Sequence, residues 1–149
     1  MLLKEICTPD VVLCKPDTRV LAAARLMRQR HVGDLVVVED PHGDQTPLGM
    51  VTDRDIVVEV LGRELDPATV TVGEIMRKPV VIASEAEEVS TAVDRMKAHG
   101  VRRIPVMGER RKLAGILALD DLLRRLAADA GALAEIVARE QGNEHRARR

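Results

Sequence analysis

The chain has 149 residues, 46% hydrophobic and 32% charged, with a formal net charge of −1, enough for one compact unit or two small ones sharing a core. The near balance of charge excludes a general nucleic-acid surface. The absence of Phe, Trp and Tyr excludes the stacking platforms of single-strand binders, so any purine held here must lie between aliphatic side chains. In chain order, Val11-Val12-Leu13 reads as a short first strand, broken by Lys15-Pro16-Asp17-Thr18. Val20, Ala23, Ala24 and Met27 then recur with helical spacing, and Val32-Gly33 is expected to end that helix. Leu35-Val36-Val37-Val38 is a β-branched run typical of a buried strand. A polar loop, residues 39–47, leads to a further strand, Leu48-Gly49-Met50-Val51, and then to a helix whose apolar face is Ile56, Val57, Val60 and Leu61.

Thr52 stands at the junction of that strand and helix, where its hydroxyl can accept a hydrogen bond from the first helical turn. Asp55 follows three residues later, the spacing of a capping box. The same pair suits an anion site with a carboxylate for vicinal hydroxyls, and the stretch alone leaves both readings open.

After a segment that reads as a linker, the order strand, helix, strand, strand, helix returns. Val11-Val12 falls on Val80-Val81, Val20 on Val89, Ala23 on Ala92, Met27 on Met96 and Val32 on Val101 without a gap. One shortening of the following loop then brings Gly49 over Gly115 and Asp55 over Asp121. Keeping register over that length identifies an internal duplication. Past Asp121 the last helix carries Leu122, Leu123 and Leu126. Gly131 is expected to interrupt it, Ala132 to Glu140 to resume it, and the basic end from Asn143 to Arg149 to fray.

With Gly49, Met50, Thr52 and Asp55 in place, and Val101-Arg102-Arg103-Ile104-Pro105-Val106 ahead of the second middle strand, the chain resembles the CBS-domain pair, or Bateman module. The resemblance covers roughly Glu5 to Leu126 and implies an α+β fold: two β-α-β-β-α repeats packed through their sheets with pseudo-twofold symmetry. It divides the chain into residues 5–65, a linker at 66–74, residues 75–128, and a helical extension with a basic tail at 129–149. It also implies two clefts for adenine nucleotides or related ligands.

By that resemblance Asp55 takes ribose hydroxyls, Thr52 faces phosphate, and Arg54, in place of the family's second hydroxyl, adds a cation. The second copy keeps Asp121 but has Ala118 and Asp120 where the hydroxyls belong. An added carboxylate beside phosphate costs about 1 kcal/mol at 4 Å in water, so unequal clefts are expected. Arg102 and Arg103 would reach phosphates; a solvated charge pair is the plainer reading. Val11, Val12 and Leu13, with Val80, Val81 and Ile82, would line the purine pockets, or serve only as core.

The function expected is a regulatory module for AMP, ADP or ATP that signals by a change of conformation or assembly. It would form a homodimer through its apolar helical faces and act on an effector protein, in the cytoplasm. The alternative is a structural or interaction module without ligand, docking through Ala132 to Glu140. The residues show no catalytic motif and no apolar run long enough to span a membrane, and Met1 to Ile6 is not expected to act as a secretion signal. Cys7 and Cys14 lie outside any CxxC pattern, and His31, His42, His99 and His145 are scattered, so neither a disulfide nor a metal is expected.

Overall fold

The computed structural model describes residues 1–148. In the first half β1 (Leu13–Cys14) is followed by α1 (Val20–Arg30), β2 (Asp34–Val38), β3 (Pro47–Thr52) and α2 (Asp53–Ile56), which widens into a π-helical turn over Val57–Leu61. A short helix, α3 (Val72–Ile75), bridges to the second half, built of β4 (Ala83–Ser84), α4 (Val89–His99), β5 (Arg103–Met107), β6 (Leu113–Ala118) and α5 (Leu119–Ala147). Each half forms a three-stranded sheet in which the first strand pairs parallel to the second and the second antiparallel to the third. The two orders, β1-β2-β3 and β4-β5-β6, are the same, as the duplication requires.

Helical spacing and strand alternation account for two cores. Val20, Ala23 and Met27 of α1 pack with Leu35 and Val37 of β2, Val51 of β3, and Ile56 and Val60. Ala92 and Met96 of α4 pack with Ile104, Val106 and Leu117. Val36 and Val38, pointing to the opposite side of β2, are also buried, as is Pro105 of β5. Both central strands are therefore covered on both faces, as two sheets packed against one another demand. Gln45 accepts from Leu113 N–H, and Lys112 Nζ donates to the carbonyls of His42 and Gly43, so the β2–β3 loop clasps the second half.

The leading segment of each half crosses to the other. Leu3, in a short 3-10 turn (Leu3–Glu5), is fully buried in the second core, and Thr8 bridges Ile116 of β6. Val72 of α3 is fully buried in the first core, with Val70, Ile75 and Met76 against it, and Arg77 bridges Met50 of β3. The stretch read as a linker is thus a packed strap. These bridges explain the paired glycines. A Cβ on Gly49 would fall 2.6 Å from Met76 Sδ, and one on Gly115 2.6 Å from the Thr8 carbonyl oxygen.

Several sequence expectations need correction. The first strand is Leu13–Cys14, and Val11 and Val12 lie just ahead of it. The helix α1 ends not at Val32-Gly33 but at His31, in the left-handed conformation at φ 54°. Gly100 ends α4 in the same conformation without the penalty of a side chain. Gly131 does not interrupt α5, which is continuous through Ala147. A glycine inside a helix costs only about 1 kcal/mol, and the alanine- and leucine-rich turns around it offset that. Asn143 to Ala147 is likewise helical, while Arg149 lies outside the described residues.

Candidate functional site

Two clefts open where the halves meet, and they are lined by corresponding residues. The first, about 360 Å³, is walled by Thr52, Asp53 and Arg54 from the start of α2, by Pro79, Val80 and Val81 ahead of β4, and by Gly100 to Arg103, with Arg77 and Met50. The second, about 310 Å³, is walled by Ala118, Asp120 and Asp121, by Asp10, Val11 and Val12, and by His31 to Asp34, with Thr8, Val36, Ile116, Arg103 and Arg124. Each cleft thus draws on both halves. The duplicated backbone recurs in detail: Asp53 N–H donates to the Gly33 carbonyl at 2.9 Å, and Leu119 N–H to the Arg102 carbonyl at 2.8 Å.

In the first cleft Thr52 is the N-cap of α2. Its Oγ1 accepts from Asp55 N–H at 3.1 Å, and its own N–H donates to Asp55 Oδ2 at 2.9 Å. The capping box, one of the two readings the spacing of Thr52 and Asp55 left open, is therefore present. Asp55 is only 3% exposed, and its other oxygen accepts from Arg77 Nε at 2.7 Å. Both carboxylate oxygens are engaged, and the side chain lies behind the cleft wall. An acid so enclosed needs its partners, since an unpaired buried charge is costly. The second copy keeps half of this arrangement. Ala118 N–H donates to Asp121 Oδ2 at 3.1 Å, and no hydroxyl returns the bond. Asp121 faces the cleft and pairs with Arg124 at 3.4 Å.

Of the residues singled out in the sequence, Thr52, Arg54, Arg102, Arg103, Val80 and Val81 come together in the first cleft. Val11, Val12 and Asp121 line the second. Leu13 and Ile82 line neither, because by those positions the chain has passed into β1 or reached the edge of β4. Sequence reasoning missed Arg77, which the register places over Thr8, and Asp10, which it places over Pro79. The arginine pair also has unexpected partners: Arg102 approaches Asp120 at 3.6 Å, and Arg103 Nε approaches Asp34 Oδ1 at 3.5 Å.

The electrostatic contrast follows from these substitutions. The first cleft sets Arg54, Arg77, Arg102 and Arg103 against Asp53. The second sets Asp10, Asp34, Asp120 and Asp121 against Arg103 and Arg124. Burial pushes the Asp34 carboxyl above the ordinary carboxylate range; Arg103 opposes that shift and Asp53 adds to it. Among the described residues no group of three or more His, Cys, Asp or Glu side chains is arranged to hold a metal ion, and no helix is long and apolar enough to cross a membrane.

Comparison with known proteins agrees with this architecture. The family model described as CBS domain matches residues 3–62 and again 72–128. An uncharacterized protein of Methanopyrus kandleri, MK0525, is 32% identical over 120 residues, and the chain spans 60% of its length. Hypoxic response protein 1 of Mycobacterium tuberculosis is 35% identical over 123 residues, covering 83% of each chain. A crystal structure of that protein with two coordinated zinc ions superposes with TM-score 0.70 over 84% of this chain and 98% of that one, at 33% identity. The hexameric CBS-CP12 protein from bloom-forming cyanobacteria gives 0.71 at 33% identity, over 83% of this chain and 69% of that one. The CBS domain pair of protein MJ0100, in complex with 5-methylthioadenosine and S-adenosyl-L-methionine, gives 0.73 at 25% identity, over 87% and 98%. With two matched repeats, two like sheets and paired clefts between them, the chain belongs to the CBS-domain family, as a tandem pair of CBS domains.

Proposed function

We propose that the protein is a regulatory module that takes an adenosine-containing ligand, AMP, ADP or ATP, in its first cleft and reports occupancy through a change of conformation or assembly. The observation that carries this reading is the lining of that cleft. Val80, Val81 and Met50 offer an aliphatic wall for a purine, and four guanidinium groups stand around the same space. Arginine suits phosphate because its planar fork donates two parallel hydrogen bonds. Arg102 and Arg103 would take phosphate oxygens, with Arg54 beside them and the Thr52 hydroxyl at the cleft edge. Asp55 would take ribose hydroxyls only after releasing Arg77, so ligand entry is coupled to a movement of the strap. The occupied state is then structurally distinct, which is what a signal needs.

Assembly would proceed through the apolar helical surfaces. Val57, Val58 and Leu61 of the π-helical turn and Leu123 and Leu126 of α5 are exposed, and a homodimer would cover them. A second reading has its own support. Both Asp55 oxygens are already satisfied, and Leu133, Ile136 and Val137 lie exposed along α5, as an interaction module without ligand would have them.

A thermal-shift panel with AMP, ADP, ATP, 5-methylthioadenosine and S-adenosylmethionine separates the two, followed by circular dichroism or calorimetry because the chain has no Trp or Tyr. Binding to the native state raises the melting temperature. The nucleotide reading expects a rise with at least one adenine nucleotide at about a hundred times its Kd, worth about 2.7 kcal/mol, and loss of that rise in Arg54→Ala/Arg102→Ala. No shift with any of the five at about 1 mM leaves the interaction module.

A further inference from the structure

One side chain lines both clefts. Arg103 opens β5 and is the residue that the linings of the two cavities share. Its recorded partner is Asp34, the first residue of β2 and its counterpart under the duplication, at 3.5 Å across the boundary between halves. The pair is loose. It is an ion pair without a well-formed hydrogen bond, and Arg103 is 40% exposed while Asp34 is 15% exposed. Asp34 is the more dependent member. It is largely removed from solvent, with Asp53 near it and Asp10, Asp120 and Asp121 lining the same cavity. Arg124 and His31 are the other basic side chains on that cavity, and Arg124 is already paired with Asp121. A carboxylate in such surroundings gains from a counter-charge and is destabilised when it leaves.

We propose that Arg103 is shared between the clefts and couples them, so that a polyanion entering the first cleft draws the guanidinium away from Asp34, and neutralising Asp34 strengthens polyanion binding. This deepens the reading of the first cleft as a phosphate site and rests on it. Two consequences follow from linkage, which is reciprocal. Filling the first cleft leaves the second more negative, so cationic groups there gain affinity as polyanions bind. The coupling also runs in one direction of charge only. A neutral adenosine derivative that does not recruit Arg103 fills the first cleft without altering the second.

The test is a double-mutant cycle read by isothermal titration calorimetry at fixed ionic strength, with inorganic tripolyphosphate and ATP titrated separately into the intact chain. Wild type, Asp34→Asn, Arg103→Ala and the double variant are compared, with Asp34→Ser as a second neutral replacement. The expected result is that Asp34→Asn tightens tripolyphosphate by about fivefold, Arg103→Ala weakens it by about tenfold, and the double variant behaves as Arg103→Ala alone. Removing a negative charge also favours an anion without any transfer of Arg103. If Asp34→Asn tightens binding equally in the Arg103→Ala background, or weakens it, the coupling is overturned. If ATP binds no better than tripolyphosphate while the cycle holds, the nucleotide reading fails and the coupling stands. If neither probe binds any folded variant at about 10 mM, where a site with a Kd of about 1 mM would be mostly filled, both fail.

Discussion

The two clefts share a frame and differ in sign. Glycine at the strand centre, a helix starting directly from the strand, a carboxylate three residues after the N-cap and an extended apolar lead-in recur in both. Yet positions that carry Arg54, Arg103 and Pro79 in the first cleft carry Asp120, Asp34 and Asp10 in the second. What recurs is set by backbone geometry: the crossing segments pass so close to Gly49 and Gly115 that an added Cβ would press on Met76 in the first case and on the Thr8 carbonyl in the second. What differs is cleft lining, where a substitution changes the ligand without disturbing the fold. A pseudo-symmetric protein of this kind offers two environments of opposite charge on one scaffold, and one cannot be inferred from the other by symmetry.

The largest test of that contrast concerns the two carboxylates. Asp55→Ala removes a buried acid that serves Thr52 N–H and Arg77 together, and is expected to cost about 3 kcal/mol. Asp121→Ala, at a more open position with one backbone bond and a longer ion pair, is expected to cost about 1 kcal/mol. Urea unfolding followed by circular dichroism reads both; equal losses would remove the distinction between an enclosed and an open acid. Next come the glycines. Gly115→Ala drives its methyl into the Thr8 carbonyl, whereas Gly49→Ala meets the end of Met76 first. The former is expected to cost about 2 kcal/mol and the latter about 1, since a thioether yields more readily than backbone. A larger loss at Gly49 would show the first strap to be the stiffer. The smallest effect is the cap. Thr52→Ala should cost about 1 kcal/mol, and Ala118→Thr, at closely similar backbone angles, should return about half of that to the second half. If Ala118→Thr destabilises, the neighbouring aspartates already oppose the added hydroxyl.

Much of this was legible in the chain. The duplicated apolar pattern led to the fold, because residues such as Val20 and Val89, or Met27 and Met96, occupy matched core positions. Thr52 and Asp55 were recognisable as a capping pair because that bond is local. Long-range partners were not. Nothing near Arg77 in sequence points to Asp55, and the ion pair between Arg103 and Asp34 joins residues brought together only when the sheets meet. The continuity of α5 through Gly131 was missed because a single glycine was given more weight than the helix-forming residues on either side. The packed strap was missed because its polar and proline residues resemble a linker, while its anchor, Val72, is one buried side chain in a short helix.

The crossing of the leading segments has a topological consequence. Residues 1–8 complete the core of the later repeat, and the strap around Val72 completes that of the earlier one. The unit that was copied and the unit that folds are therefore out of phase by one segment. A cut made between the repeats at Leu65 would leave the first fragment without Val72 and the second without Leu3, each with a hole where its missing segment belongs. Two such fragments could fill those holes only by finding one another, so the halves behave less like beads on a string than like two hands each wearing the other's glove.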